Sequence, residues 1–141
     1  MDRKEFLSQL GIGAAGVLFV GCLGSCKKDV PSAATNVNLT IDLTSSTYSK
    51  LTTPGNFIYL GNGVIIAQTL TGDYVAVSQY CTHEGANVKF NSAANDFYCS
   101  LQGSSHGSVF STTGTVTSGP AGSALKQYTV TKTGDSLTIK G

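Results

Sequence analysis

The chain has 141 residues, 9 basic and 8 acidic side chains and a formal charge of +1, with no basic stripe, so nothing in it points to a nucleic-acid partner. Only 12% of residues are charged, Gly numbers 17, and Ser and Thr are abundant, which suits a turn-rich β domain rather than a helical bundle. The length allows one domain at most, and the β-branched and aromatic residues argue against disorder.

Residues 1–25 read as an export signal. Arg3 and Lys4 open it, and an apolar stretch from Leu10 to Gly21 follows, too short to span a bilayer comfortably as a helix. Leu23-Gly24-Ser25-Cys26 resembles the cleavage box of bacterial lipoproteins, which implies that Cys26 becomes the lipidated first residue of the mature chain. Cys22 has the poorer box, with Phe19 three positions before it. Plain signal cleavage without a lipid and an uncleaved anchor are the alternatives. The run Arg3-Lys4-Glu5-Phe6-Leu7 also resembles a weakened twin-arginine signal, a route that carries folded proteins. Residues 26–36 are polar, with Pro31 and several small residues, and read as a tether lifting the domain off a membrane. The protein is thus expected to be exported and membrane-anchored, facing the periplasm or the cell exterior.

The domain proper is expected over 37–141. Val37, Leu39, Ile41 and Leu43 alternate with polar neighbours, the period of a half-buried strand. Thr52 to Asn56 holds Pro54-Gly55 and turns the chain. Short apolar strands over 57–60 and 64–67 flank Gly61-Asn62-Gly63, a tight hairpin. Thr71-Gly72-Asp73 turns into a strand over 74–77. Phe97-Tyr98-Cys99 ends another strand, Val109-Phe110 starts the next, and residues 119–122 form a turn or exposed loop. Tyr128 and Val130, then Leu137 and Ile139, alternate about Thr133-Gly134-Asp135 as a C-terminal hairpin. No ten-residue stretch beyond the export segment has helical periodicity. The predicted fold is all-β, a small antiparallel sandwich or barrel. A domain this short buries a modest share of its surface, so a metal centre or a disulfide would be a useful clamp.

Chemistry in this domain rests on two cysteines and two histidines, which fall as Cys81-Thr82-His83 and as Cys99 with His106. Each pair sits in a loop fed by a strand. Two thiolates with two imidazoles suit tetrahedral zinc or an asymmetric two-iron cluster. In an exported chain the two cysteines also read as one disulfide, Cys81–Cys99. No autonomous catalytic site is visible. Glu84 is a loop carboxylate of the kind that is usually solvated, a Cys–His pair lacks an orienting group, and no GxSxG elbow occurs.

Cys81-Thr82-His83-Glu84-Gly85-Ala86 resembles the first ligand loop of the Rieske iron–sulfur family. Fifteen residues separate His83 from Cys99, within that family's usual spacing. His106-Gly107-Ser108-Val109-Phe110 resembles the end of its second ligand loop, and Gly119-Pro120-Ala121 its proline-containing loop. Leu125, Tyr128 and Val130 fit its closing strand. The resemblance spans about residues 37–140. It implies a Rieske-like β-sandwich or barrel with two cluster-binding loops at one end and a [2Fe-2S] cluster as cofactor. Cys81 and Cys99 would hold a buried iron, and His83 and His106 an outer one. Ser108 would donate a hydrogen bond to a sulfide, with Gly107 and Pro120 beside the cluster. The implied function is electron transfer, as a carrier or as the electron-transfer subunit of an oxidoreductase. Its partner would be a redox protein or a quinol-linked complex. A hydroxylase of the related oxygenase type needs a second, mononuclear iron domain, for which this chain has no room.

Three departures stand out. The family's second loop is Cys-x-x-His, whereas four more residues lie between Cys99 and His106 here. Counting back from His106, the cysteine position falls on Gly103, which cannot ligate; with Cys99 as ligand, the insert must bulge outward. The extra disulfide of high-potential members is absent, its positions matched by Ala86 and Ser105. The tyrosine that donates to a ligand sulfur in those members is matched by Phe110, which implies a lower potential. The alternative is a degenerate Rieske-fold lipoprotein without a cluster, acting as a binding or structural module.

Overall fold

The period-two alternation and the glycine turns produce ten antiparallel strands among the described residues, 30–100 and 107–141 of a computed structural model. Residues 1–29 and 101–106 lie outside this description, and with them the expected export signal, the expected lipidation at Cys26, Gly103, Ser105 and His106. The strands are β1 (Asn38–Asp42), β2 (Phe57–Tyr59), β3 (Val64–Gln68), β4 (Tyr74–Ser78), β5 (Val88–Asn91), β6 (Asp96–Cys99), β7 (Val109–Phe110), β8 (Val116–Ser118), β9 (Gln127–Thr133) and β10 (Ser136–Lys140). One 3₁₀ turn, Ser49–Thr52, precedes β2 and buries Leu51. Among the described residues no helix is long and apolar enough to cross a membrane.

Two sheets result. The larger has the order β1-β10-β9-β4-β3-β2 and the smaller β5-β6-β7-β8. Both expected hairpins form. Phe57 faces Ala67 and Tyr59 faces Ile65 across the Gly61-Asn62-Gly63 turn, where both glycines take positive φ. Ser136 faces Thr133 across Gly134-Asp135. Val88–Asn91 forms β5, a strand not among those expected from sequence, paired with β6 from Val88–Cys99 to Asn91–Asp96.

β3 is buried at all five positions because both of its faces are covered. Ile65 and Ala67 point with Val77 into one core, against Phe90, Phe97, Phe110 and Leu125. Val64 and Ile66 point into another, with Ile41, Leu51, Tyr128, Leu137 and Ile139. The first core lies under the smaller sheet and includes Cys81 and Cys99. The second fills the base of the domain. A run that reads as continuously apolar is what a strand covered on both sides requires. Leu125, placed with the closing strand in sequence, precedes β9 and packs in the first core, whereas Tyr128 on β9 packs in the second.

The described part of the stretch read as a tether makes contacts with the domain at Ala34. The Ala34 carbonyl accepts hydrogen bonds from Lys126 Nζ at 3.0 Å and Tyr128 Oη at 2.8 Å. Val37 and Gly141 exchange both backbone hydrogen bonds, which extends the β1–β10 ladder by one pair.

Candidate metal centre

Three loops meet at the end of the smaller sheet. The first, residues 79–87, joins β4 to β5. It is closed by Cys81 N–H on the Ala86 carbonyl (2.7 Å), Gly85 N–H on the Cys81 carbonyl (2.8 Å) and the isolated bridge Tyr80–Asn87. Gly85 has φ +74°, a conformation that favours glycine at this tight return. The loop holds Cys81 fully buried, with Thr82 and His83 half-buried and Glu84 exposed.

The second loop begins at Cys99, 6% exposed at the end of β6. Cys99 N–H donates to the Ser108 carbonyl at 2.9 Å, continuing the pairs Phe97–Phe110 and Tyr98–Val109. Cys99 and Ser108, described positions on either side of residues 101–106, thus share one rung of the sheet. Ser100 N–H donates to the Asn87 carbonyl at 3.0 Å and ties this loop to the first.

The third loop, residues 119–126, packs on Gly107 and Ser108. Gly119, at φ +94°, runs so close that a Cβ there would lie 2.4 Å from Ser108 Cα and 2.6 Å from the Gly107 carbonyl oxygen. Ser108, only 1% exposed, accepts a hydrogen bond from Ala121 N–H on its Oγ at 3.1 Å. That leaves the hydroxyl proton for another acceptor. Thr82 Oγ1 donates to the Ser123 carbonyl at 2.6 Å and closes the triangle between the first and third loops. The Thr82 and Ala121 contacts were not visible in sequence, because a backbone carbonyl and a backbone N–H carry no residue signature. Gly107 is exposed, and Pro120, exposed as well, follows Gly119 in the third loop.

Cys81 is a free thiol, so no disulfide joins it to Cys99, and the pairing left open in sequence does not form. Among the described residues no three Cys, His, Asp or Glu side chains gather about one ion position. A two-iron cluster makes no such demand, since its imidazoles serve one iron and its thiolates the other. His106 lies outside the described residues.

A family model for the Rieske [2Fe-2S] domain matches residues 41–129. The chain belongs to the Rieske [2Fe-2S] domain family. It is 30% identical over 139 residues to the cytochrome b6-f complex iron-sulfur subunit of Chlorobaculum thiosulfatiphilum, covering 98% of this chain and 75% of that protein. Among solved structures it resembles the cyanobacterial plasma membrane Rieske protein PetC3 from Synechocystis PCC 6803, with a TM-score of 0.56 and 27% identity over 73% of this chain and 99% of that one. The ferredoxin of carbazole 1,9a-dioxygenase from Nocardioides aromaticivorans IC177 shares the fold, at a TM-score of 0.54 and 21% identity over 76% and 98% of the two chains. The expected all-β Rieske fold is therefore the one observed, and the family implies a [2Fe-2S] cluster as cofactor.

The described part of the Rieske site fits that group. Two buried thiols face one apolar core, a buried hydroxyl keeps a proton to donate, and the covering loop is seated at van der Waals limits on the second loop. Val88, Phe97, Phe110, Ala121 and Leu125 surround the cysteines and keep water from them.

Proposed function

We propose that this protein transfers electrons through a Rieske-type [2Fe-2S] cluster as an exported, membrane-anchored module. In this reading Cys81 and Cys99 hold one iron and His83 and His106 the other. Bound there, the cluster supplies a one-electron couple of raised potential, because neutral imidazoles replace two thiolates. The chain's own residues orient and shield it. Cys81 and Cys99 are fixed by their backbone hydrogen bonds to Ala86 and Ser108. Ser108 is oriented by Ala121 N–H so that its proton faces away from that donor. Pro120 and Gly107 lie where the covering loop meets the second ligand loop.

The observation that carries the reading is the adjacency of Cys99 and Ser108 across the β6–β7 ladder, which supports a common frame for the two described ends of the second loop. The subunit role of the Chlorobaculum relative in a cytochrome b6-f complex supports a redox partner protein or quinol-linked complex. The lipobox-like segment ending at Cys26 supports attachment to a membrane by an N-terminal lipid.

Iron and acid-labile sulfide analysis with EPR of the dithionite-reduced protein tests the assignment. The wild type is expected to carry two irons and two sulfides and to give a rhombic signal. Cys99→Ser and His106→Ala are each expected to lose it with the β-rich circular dichroism spectrum kept. A colourless wild type with two titratable thiols would end the electron-transfer proposal.

A further inference from the structure

Residues 30–34 cross the face of the domain beside the first ligand loop. A Cβ on Gly85 would lie 2.5 Å from Pro31 Cδ and 3.3 Å from Val30 Cγ1, so the segment rests directly on that loop's tightest turn. It also walls a cleft of about 410 Å³ whose floor includes Cys81, Thr82 and Ser123. Two residues later the segment is latched. Lys126 Nζ and Tyr128 Oη both donate to the Ala34 carbonyl, and the ammonium sits 5.1 Å from the Tyr128 ring centroid. The ammonium and the ring thus attract one another beside the carbonyl they share.

A solvated spacer has no use for such contacts. Val30, Pro31 and Ser32 are exposed, so hydrophobic burial does not account for their position. Both lone pairs of the Ala34 carbonyl are engaged, which is more than a passing contact provides. The first loop is also tied outward by Gln79 N–H on the Gly63 carbonyl, Thr82 to Ser123, Ser100 to Asn87 and the packing of Cys81.

We propose that residues 30–34 are a brace that positions the first ligand loop, with Lys126 and Tyr128 as positioning residues that act through the Ala34 carbonyl. The term ligand loop rests on the function proposed above; the brace itself is a claim about the polypeptide. Its latch is two hydrogen bonds on one acceptor, set against the entropy of ordering an exposed segment, so it opens more readily than the sheets do. Any pull on the chain ahead of Val30 is then felt first at residues 81–86.

Amide hydrogen exchange on the full-length, detergent-extracted protein tests this. Lys126→Met with Tyr128→Phe removes both donors and keeps the Tyr128 ring in the base core. Exchange at the Cys81 and Gly85 amides is expected to accelerate by about tenfold, while amides of β10 stay unchanged. Acceleration confined to residues 30–36, with Cys81 and Gly85 unmoved, would overturn the brace. Should β10 also accelerate, Pro31→Gly decides, because that side chain meets the loop and not the base. Faster exchange at Gly85 then supports the brace, and an unchanged rate overturns it. Iron and sulfide are measured on the same samples. A wild type lacking both refutes the electron-transfer reading, and the exchange data still decide the brace.

Discussion

At the base of the domain, β1, β10 and β9 pair through five residue couples on each seam. At the tip, β6 and β7 share only two couples, and the three loops are joined by individual hydrogen bonds such as Thr82 to Ser123 and Ala121 to Ser108. The base is held by repetition, so losing one bond leaves its neighbours in place. The tip is held by particular bonds at particular atoms, and each sets the position of a candidate ligand or its donor. Yet both regions draw on β3, whose alternate residues feed the two cores.

The sharpest way to separate the two regions uses neighbours on that strand. Ile65→Ala opens a cavity in the core beneath the cysteines, and Ile66→Ala opens one in the base core; both side chains are fully buried. Each is expected to cost about 2–5 kcal/mol in denaturant unfolding. Only Ile65→Ala should also alter the EPR line shape of the loaded protein. An equal spectral change in both variants would break the distinction.

Next in size is Ser108→Ala. It strips the acceptor from a buried Ala121 N–H, at an expected cost of about 1–3 kcal/mol, and lowers the reduction potential by removing the hydroxyl donor. Urea titration and redox titration read the two effects separately. Phe110→Tyr supplies a phenol where the chain has a fully buried ring in the same core as the cysteines. One hydrogen bond of about 1 kcal/mol is on the order of 40 mV for a one-electron couple, so the midpoint should rise by about that much. An unchanged midpoint would show that the added hydroxyl does not reach a ligand sulfur.

The smallest effect is alkaline and touches both regions. Burial raises the phenol pKa of Tyr59, Tyr74 and Tyr128 above the ordinary value near 10, and for Tyr59 repulsion from Tyr98 adds to it. A group whose folded pKa is raised gives its full stabilisation below the unfolded value and loses it as pH rises through the folded one. Urea midpoints should therefore hold up to about pH 10 and fall above it. Tyr59→Phe should blunt that fall, at the loss of its hydrogen bond to the Val88 carbonyl.

Legibility followed the same division. The base could be read because its devices are written in side chains: alternation in Leu137 and Ile139, glycines in the Gly61-Asn62-Gly63 turn, a doubly covered run in β3. The two cysteine loops could be read only through their resemblance to known ligand loops, since two Cys and two His fit several chemistries. β5 escaped notice because Val88-Lys89-Phe90 is a short alternation directly behind the first ligand motif. The 3₁₀ turn at Ser49–Thr52 has a single buried side chain and no period to detect. The latches at Ser123, Ala121 and Ala34 use main-chain atoms, and any residue could have stood there.

The rung that joins Cys99 to Ser108 bears on how such proteins diversify. With Cys99 and Ser108 fixed side by side, closing a chain segment between them grows only slowly more costly with length, so an insertion there costs folding little. A scaffold built this way can change in length at that point while inheriting its core unchanged.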